Sequence, residues 1–245
     1  MNFAEKSAIV TGAAVGIGRA VSHKLALLGA NLSLIDVNEK GLAELKKELE
    51  KYGVSVLTFV CDVSKEEQAK KAVEETVNSF GSIDILINNA AVWRDMVNFT
   101  ESSTELWQRY WNINVMGTVY FTRYVIPRMI EKGYGKIVNV ASVAGVYGNK
   151  GMSHYSATKA ALIAFTKSLA KEVSDKGVCV NCVSPGTVSP ANVLDMDYSE
   201  PSSMSYSGRT GTQMENANLI CFLASDEAPY ISGENVIIDG CRKML

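Results

Sequence analysis

An α/β fold, a single doubly wound domain over residues 1–245 with helices on both faces of a parallel sheet, follows from three features of the chain. Short β-branched runs alternate with longer amphipathic stretches along its length. Glycines stand where several of the longer stretches end. At 245 residues, 47% apolar and 20% charged, the chain matches one large globular unit and not a disordered, collagen-like or coiled-coil one. Strands alternating with helices make parallel β-α-β units whose right-handed crossovers cover both sheet faces.

In order, SAIVT (7–11), ANLSLID (30–36), SVLTFVCD (55–62) and IDILINNA (83–90) read as buried strands. Between them, helices from Ile17 to Leu28, Asn38 to Tyr52 and Ser64 to Phe80 stop at Gly29, Gly53 and Gly81. Ser64 with Glu67 predicts a capping box for the third. The second half continues with a helix from Thr104 to Glu131, strand KIVNVAS (136–142), a helix from Ser156 to Ser174 and strand VCVNCVS (178–184). A helix from Met214 to Ala224 and strand NVIID (235–239) close the chain. Residues 189–208 have no period, and so long a stretch in a compact domain predicts a substrate lid.

The net charge is −2, with no basic block of the kind nucleic-acid binding needs. No run approaches the roughly 18 apolar residues of a membrane span. Glu5 and Lys6 interrupt the place of a secretory signal, so the expectation is a cytoplasmic protein without nucleic-acid or membrane partners. The five cysteines are too scattered for a disulfide framework. Cys179 and Cys182 sit three apart in a strand, where their side chains point to opposite faces, and with only His23 and His154 to add imidazole no metal site is expected.

The first strand runs into TGAAVGIG (11–18), with Gly12, Gly16 and Gly18, and then a helix. Such glycines let the backbone approach a diphosphate, and a helix start offers it free N–H groups, although three glycines alone also suit a tight packing turn. Asp36 ends the second strand where a dinucleotide's ribose would sit. Its carboxylate accepts from two ribose hydroxyls and repels a 2′-phosphate, and no Lys or Arg stands at Ala14, Val15 or Val37 to offset that repulsion. The predicted cofactor is therefore NAD(H).

Tyr155 and Lys159 are four apart on one helix face, and of ten tyrosines only this one has Lys at that offset. An ammonium beside a phenol favours phenolate and predicts a lowered Tyr155 pKa, fit for a general acid or base. Ser142, ending strand KIVNVAS, is placed to hold the same substrate oxygen.

These motifs, with NNAA (88–91), Asn114 and Pro185-Gly186, resemble in order and spacing the short-chain dehydrogenase/reductase family over nearly the whole chain. The resemblance implies a seven-stranded Rossmann fold and hydride transfer between nicotinamide C4 and a carbonyl or carbinol carbon. It implies Tyr155 as acid/base, Lys159 on the nicotinamide ribose, Ser142 orienting substrate and Asn114 holding a relay water. For the cofactor it implies Gly12, Gly16, Ile17 and Gly18 around the phosphates and Asp62 and Val63 beside the adenine. Asn88 and Ala90 would line the cleft, and Pro185, Gly186 and Val188 would meet the nicotinamide amide. It also implies a homo-oligomer, tetramer or dimer.

Two positions depart from the family pattern. Ala91 replaces a glycine without removing any functional group, and Pro190 replaces a threonine whose hydroxyl often binds the cofactor, a loss for which Ser189 is the candidate substitute. The length, the segment RTGTQMENAN (209–218) and the ending ASDEAPYISGENVIIDG (224–240) look most like the 3-oxoacyl-carrier-protein reductase branch, which commonly uses NADPH, a use that Asp36 opposes, and the family's alcohol dehydrogenases share the same ending. In that branch Arg128 and Lys171 fall near the carrier-protein site. Trp93, Val143, Tyr147, Met152 and His154, with Met196, Tyr198, Met204 and Tyr206 of the lid, predict a hydrophobic ketone or secondary alcohol, steroid-like or cyclic. Arg94 is an alternative anchor for a carboxylate or phosphate. The rival readings are a 3-oxoacyl thioester reductase and a non-catalytic NAD(H)-sensing protein.

Overall fold

The computed structural model describes residues 1–243. Seven parallel strands form one sheet: β1 (Ser7–Thr11), β2 (Asn31–Asp36), β3 (Val56–Val60), β4 (Ile85–Asn88), β5 (Gly135–Val140), β6 (Val178–Pro185) and β7 (Asn235–Ile238). Their order, β3-β2-β1-β4-β5-β6-β7, reverses direction between β1 and β4. This is the doubly wound Rossmann arrangement, whose ligands lie beyond the strands' C-terminal ends at that reversal.

The helices are α1 (Gly16–Leu27), α2 (Glu39–Leu49), α3 (Glu66–Phe80), α4 (Thr104–Tyr110), α5 (Gly117–Lys132), α6 (Ala144–Tyr147), α7 (Ser153–Val173) and α8 (Gln213–Leu223). Successive strand residues feed two cores. Ala8 and Val10 pack with Leu25, Leu45 and Ile220 of α1, α2 and α8, whereas Ile9 packs with Val73, Phe121 and Ala170 of α3, α5 and α7. In β6, Cys182 is buried against Leu162 of α7, while the Cys179 thiol meets the Pro229 carbonyl away from that core.

Three local expectations change. The Ser64–Glu67 capping box does not form: α3 starts after Lys65 with no side-chain cap, which leaves Ser64 one residue outside the cap position, its hydroxyl donating to Asp62 Oδ1 at 2.7 Å. The expected 104–131 helix is interrupted by a π-helical turn, Trp111–Met116, between α4 and α5. Between Ser142 and Ser156 the chain adds α6 and begins α7 at Ser153.

Candidate active site

A cavity of about 580 Å³ lies at the C-terminal ends of the strands and spans the reversal point. Its first half is built by the ends of β1, β2 and β3. Val15, the residue before α1, gives no side-chain cap, and the first turn of α1 carries no acid. Val15, Gly16 and Ile17 line the cavity, so the first-turn N–H groups are left for an anionic ligand. Gly12 has φ +64°, and a Cβ there would stand 2.8 Å from the Ala90 Cα. Gly18 lies behind the lining, where a Cβ would strike the Gly12 carbonyl.

Asp36 faces the cavity as the last residue of β2; its Oδ2 accepts the Ala14 N–H and its Oδ1 the Asn38 N–H, both at 3.0 Å. Among the described residues no Lys or Arg lines this end, because Arg19 is ion-paired with Glu48. Asp62 and Val63 line the cavity beyond β3, with Asp62 Oδ1 accepting from both the N–H and the hydroxyl of Ser64.

Asn88 does not line the cavity, contrary to expectation. As a β4 residue facing the sheet interior, it donates from Nδ2 to Asn139 Oδ1 at 2.9 Å and Thr122 Oγ1 at 3.1 Å. The cleft residue is Asn89, whose Nδ2 donates to the carbonyls of Thr11 and Gly12 at 3.1 and 3.0 Å. Thr11 Oγ1 in turn accepts from the N–H groups of Asn89 and Ala90. Thus Asn89 and Thr11, which the sequence reading passed over, tie the glycine loop to β4. The doubled Asn was the available signal, since adjacent strand residues point opposite ways.

The second half holds Ser142, Tyr155 and Lys159 together. Ser142 follows β5, and its Oγ accepts the Ala144 N–H that opens α6. Burial pushes the Tyr155 phenol up to about 12, opposed by its bond with Ser142 and reinforced by Tyr110. The Lys159 ammonium lies 5.7 Å from the Tyr155 ring centroid and donates to the Val140 carbonyl at 2.7 Å. Burial brings the Lys159 ammonium down to about 8.

Asn114 lies in the π-helical turn and outside the lining. Its Oδ1 accepts the Val92 N–H at 2.8 Å, while its Nδ2 donates to the Val92 carbonyl and to Thr158 Oγ1 at 3.1 Å. The side chain therefore anchors the Val92 segment to α7.

Pro185, Gly186 and Val188 follow β6 along the cavity wall. Beside them Ser189 is buried, and its Oγ has no hydrogen-bond partner among the described residues. Of the apolar candidates, Trp93, Val143 and Met152 line the cavity. His154 is buried edge-on against Tyr110, Tyr147 lies outside the lining, and Arg94 stacks over Trp93. The 189–208 stretch reaches the cavity only through Ser189, Pro190 and Ala191; Met196 packs into the core instead. Asn149 and Arg242, neither of them anticipated, also line it.

Residues 6–200 match the profile of the short chain dehydrogenase family. The chain is 38% identical over 243 residues to the 3-oxoacyl-acyl-carrier-protein reductase FabG of Thermotoga maritima, covering 98% of each. It is 33% identical to 3beta-hydroxysteroid dehydrogenase 2 of Eggerthella lenta, covering 97% of this chain and 94% of that one. The crystal structure of NAD+-bound xylitol dehydrogenase superposes with a TM-score of 0.91 at 30% identity, over 98% of this chain and all of the other. The chain belongs to the short-chain dehydrogenase family of oxidoreductases.

Proposed function

We propose that this protein is an NAD(H)-dependent oxidoreductase of secondary alcohols and ketones, with Tyr155 as general acid and base. The observation that carries the reading is one cavity holding Asp36 at one end and Ser142, Tyr155 and Lys159 at the other. The uncapped start of α1, the glycine loop and the unpartnered Ser189 hydroxyl fit a dinucleotide. When bound there, the nicotinamide supplies or accepts the hydride at C4.

The residues of the chain do the rest. Ser142 orients the substrate oxygen by its hydroxyl. Tyr155, kept protonated by burial, gives its phenolic proton to that oxygen in reduction and takes one back in oxidation. Lys159 is held by Val140 beside the phenol, where its ammonium would hold the nicotinamide ribose and favour phenolate during turnover. Asn114 keeps the Val92 segment in register with α7. Asp36 would accept from the adenosine ribose hydroxyls, and Pro185, Gly186 and Val188 would border the carboxamide.

Titration by nicotinamide fluorescence should show tighter binding of NADH than of NADPH. Tyr155→Phe should retain NADH while losing about 10²- to 10⁴-fold in kcat. Ordinary turnover by that variant rejects the assignment, and preference for NADPH rejects the Asp36 reading. A second reading, reduction of a 3-oxoacyl thioester, is supported by the full-length relatives that carry that name. It requires turnover of an acetoacetyl thioester and a loss on Arg128→Glu or Lys171→Glu, two exposed positions.

A further inference from the structure

Resting on the reading of this cavity as a hydride-transfer site, we propose that its substrate carries a carboxylate, recognised by Arg242. The charges lining the cavity are unevenly placed. Its acidic residues among those described, Asp36 and Asp62, both stand beyond β2 and β3, at the nucleotide end. The opposite end contains no acid, and there Arg242 donates from Nη2 to Asn149 Oδ1 at 3.0 Å. Asn149 follows α6, between Ser142 and Tyr155 in the chain, and lines the same wall as Met152. Among the described residues Lys159 and Arg242 are the cations of the lining, which makes this end positive, and the planar guanidinium fork matches a carboxylate better than any neutral group.

Arg242 is also held in place. Gly240 and Cys241 both turn through positive φ, +63° and +59°, an uncommon conformation for the cysteine. The Tyr206 N–H donates to the Cys241 carbonyl, the Ser207 N–H to the Gly240 carbonyl and the Lys243 N–H to the Met204 carbonyl. Lys243 further stacks over the Tyr206 ring at 5.3 Å. This strap between residues 204–207 and the tail sets the guanidinium against the cavity before any ligand arrives, which lowers the ordering cost of binding. The 204–207 segment thus acts through Arg242 rather than by covering the site with its own apolar side chains.

The test uses matched pairs that differ only in charge: 3-, 4- and 5-oxo acids and their methyl esters, each reduced with NADH by the full-length protein. At least one acid should exceed its ester in kcat/KM, with the difference in KM. Arg242→Met should shrink that acid-to-ester ratio about 30- to 100-fold, and Arg242→Lys, which keeps the charge without the fork, should fall between. A role confined to folding would move acid and ester together and leave the ratio unchanged. Esters equalling acids at every length, or an unchanged ratio in Arg242→Met, overturns the proposal while leaving the parent reading intact. So does the absence of any turned-over acid when none alters the fluorescence of bound NADH. Failure to bind NADH at all rejects the parent reading instead.

Discussion

Tyr155 shows how far neighbours at fixed sequence spacing fall short of specifying chemistry. The four-residue offset from Lys159 correctly puts both on α7, yet it does not say where the ammonium goes. The strand-end carbonyl of Val140 takes it, and burial then dominates the phenol and raises its pKa. Asn88 and Asn89 teach the same lesson, since only the pleat decides which of two identical side chains meets the sheet and which the cleft. At Pro190 the missing hydroxyl was visible in the sequence, but the neighbouring Ser189 as a buried, unpartnered hydroxyl was not. A buried hydroxyl without a partner costs stability unless a ligand satisfies it. Ser189→Ala is therefore expected to weaken NADH binding about 5- to 10-fold without lowering stability. Fluorescence titration alongside urea unfolding checks this, and unchanged NADH affinity would remove Ser189 from the cofactor site.

At the level of elements, helix ends were legible where the cap is local and misread where a neighbour competes. Gly81 adopts the left-handed conformation directly after α3, as its position implied. Ser64 had the spacing of a cap, but α3 starts one residue later, after Lys65, and the Ser64 hydroxyl donates to the Asp62 carboxylate in the turn after β3 instead. The capping box that does form is at α8, between Thr212 and Glu215, where Arg209 adds two bonds to the Glu215 carboxylate. Thr212→Ala should cost about 1 kcal/mol, read as a lower urea midpoint at unchanged slope. The Arg209 bond and the Thr212 backbone together hold the Glu215 carboxyl down at about 2. Because the folded-state value is depressed, this contribution is complete above the ordinary carboxylate range and is lost as pH falls toward about 2. In Glu215→Gln, that part of the acid destabilisation between roughly pH 5 and 2 should disappear; an unaltered stability profile would show that the exposed pair contributes nothing. The effect bears on the site, because Gln213 of the same first turn holds the carbonyls of Pro190 and Val193.

For the whole molecule, the cores on the sheet faces make Cys182 and Cys221, the buried thiols away from the cavity, reporters of global unfolding. Burial pushes Cys61 and Cys182 up to about 11 and Cys221 up to about 12, which suppresses the reactive thiolate. Native alkylation should accordingly modify the exposed Cys241 first, with Cys182 and Cys221, which lie away from the cavity, reacting only at the rate of unfolding. Rapid labelling of those two in the native protein would show that the cores open locally. Among the described residues no helix is long and apolar enough to cross a membrane.

What the sequence determined by itself is what short-range periodicity and spacing encode: the strand-helix alternation, the glycine loop between β1 and α1, Asp36 at the end of β2, and Tyr155 with Lys159 on one helix face. Each of these depends on residues close along the chain, whose relative placement the pitch of a helix or the pleat of a strand already dictates. Only the tertiary structure decided which groups meet from distant segments. Asn114 joins Val92 and Thr158, Asn89 ties the first glycine loop to the fourth strand, and Arg242 meets Asn149 across 93 positions of chain. These contacts have no sequence period, because they follow from the order in which parallel strands are laid side by side. That order converts separate strand ends into one cavity.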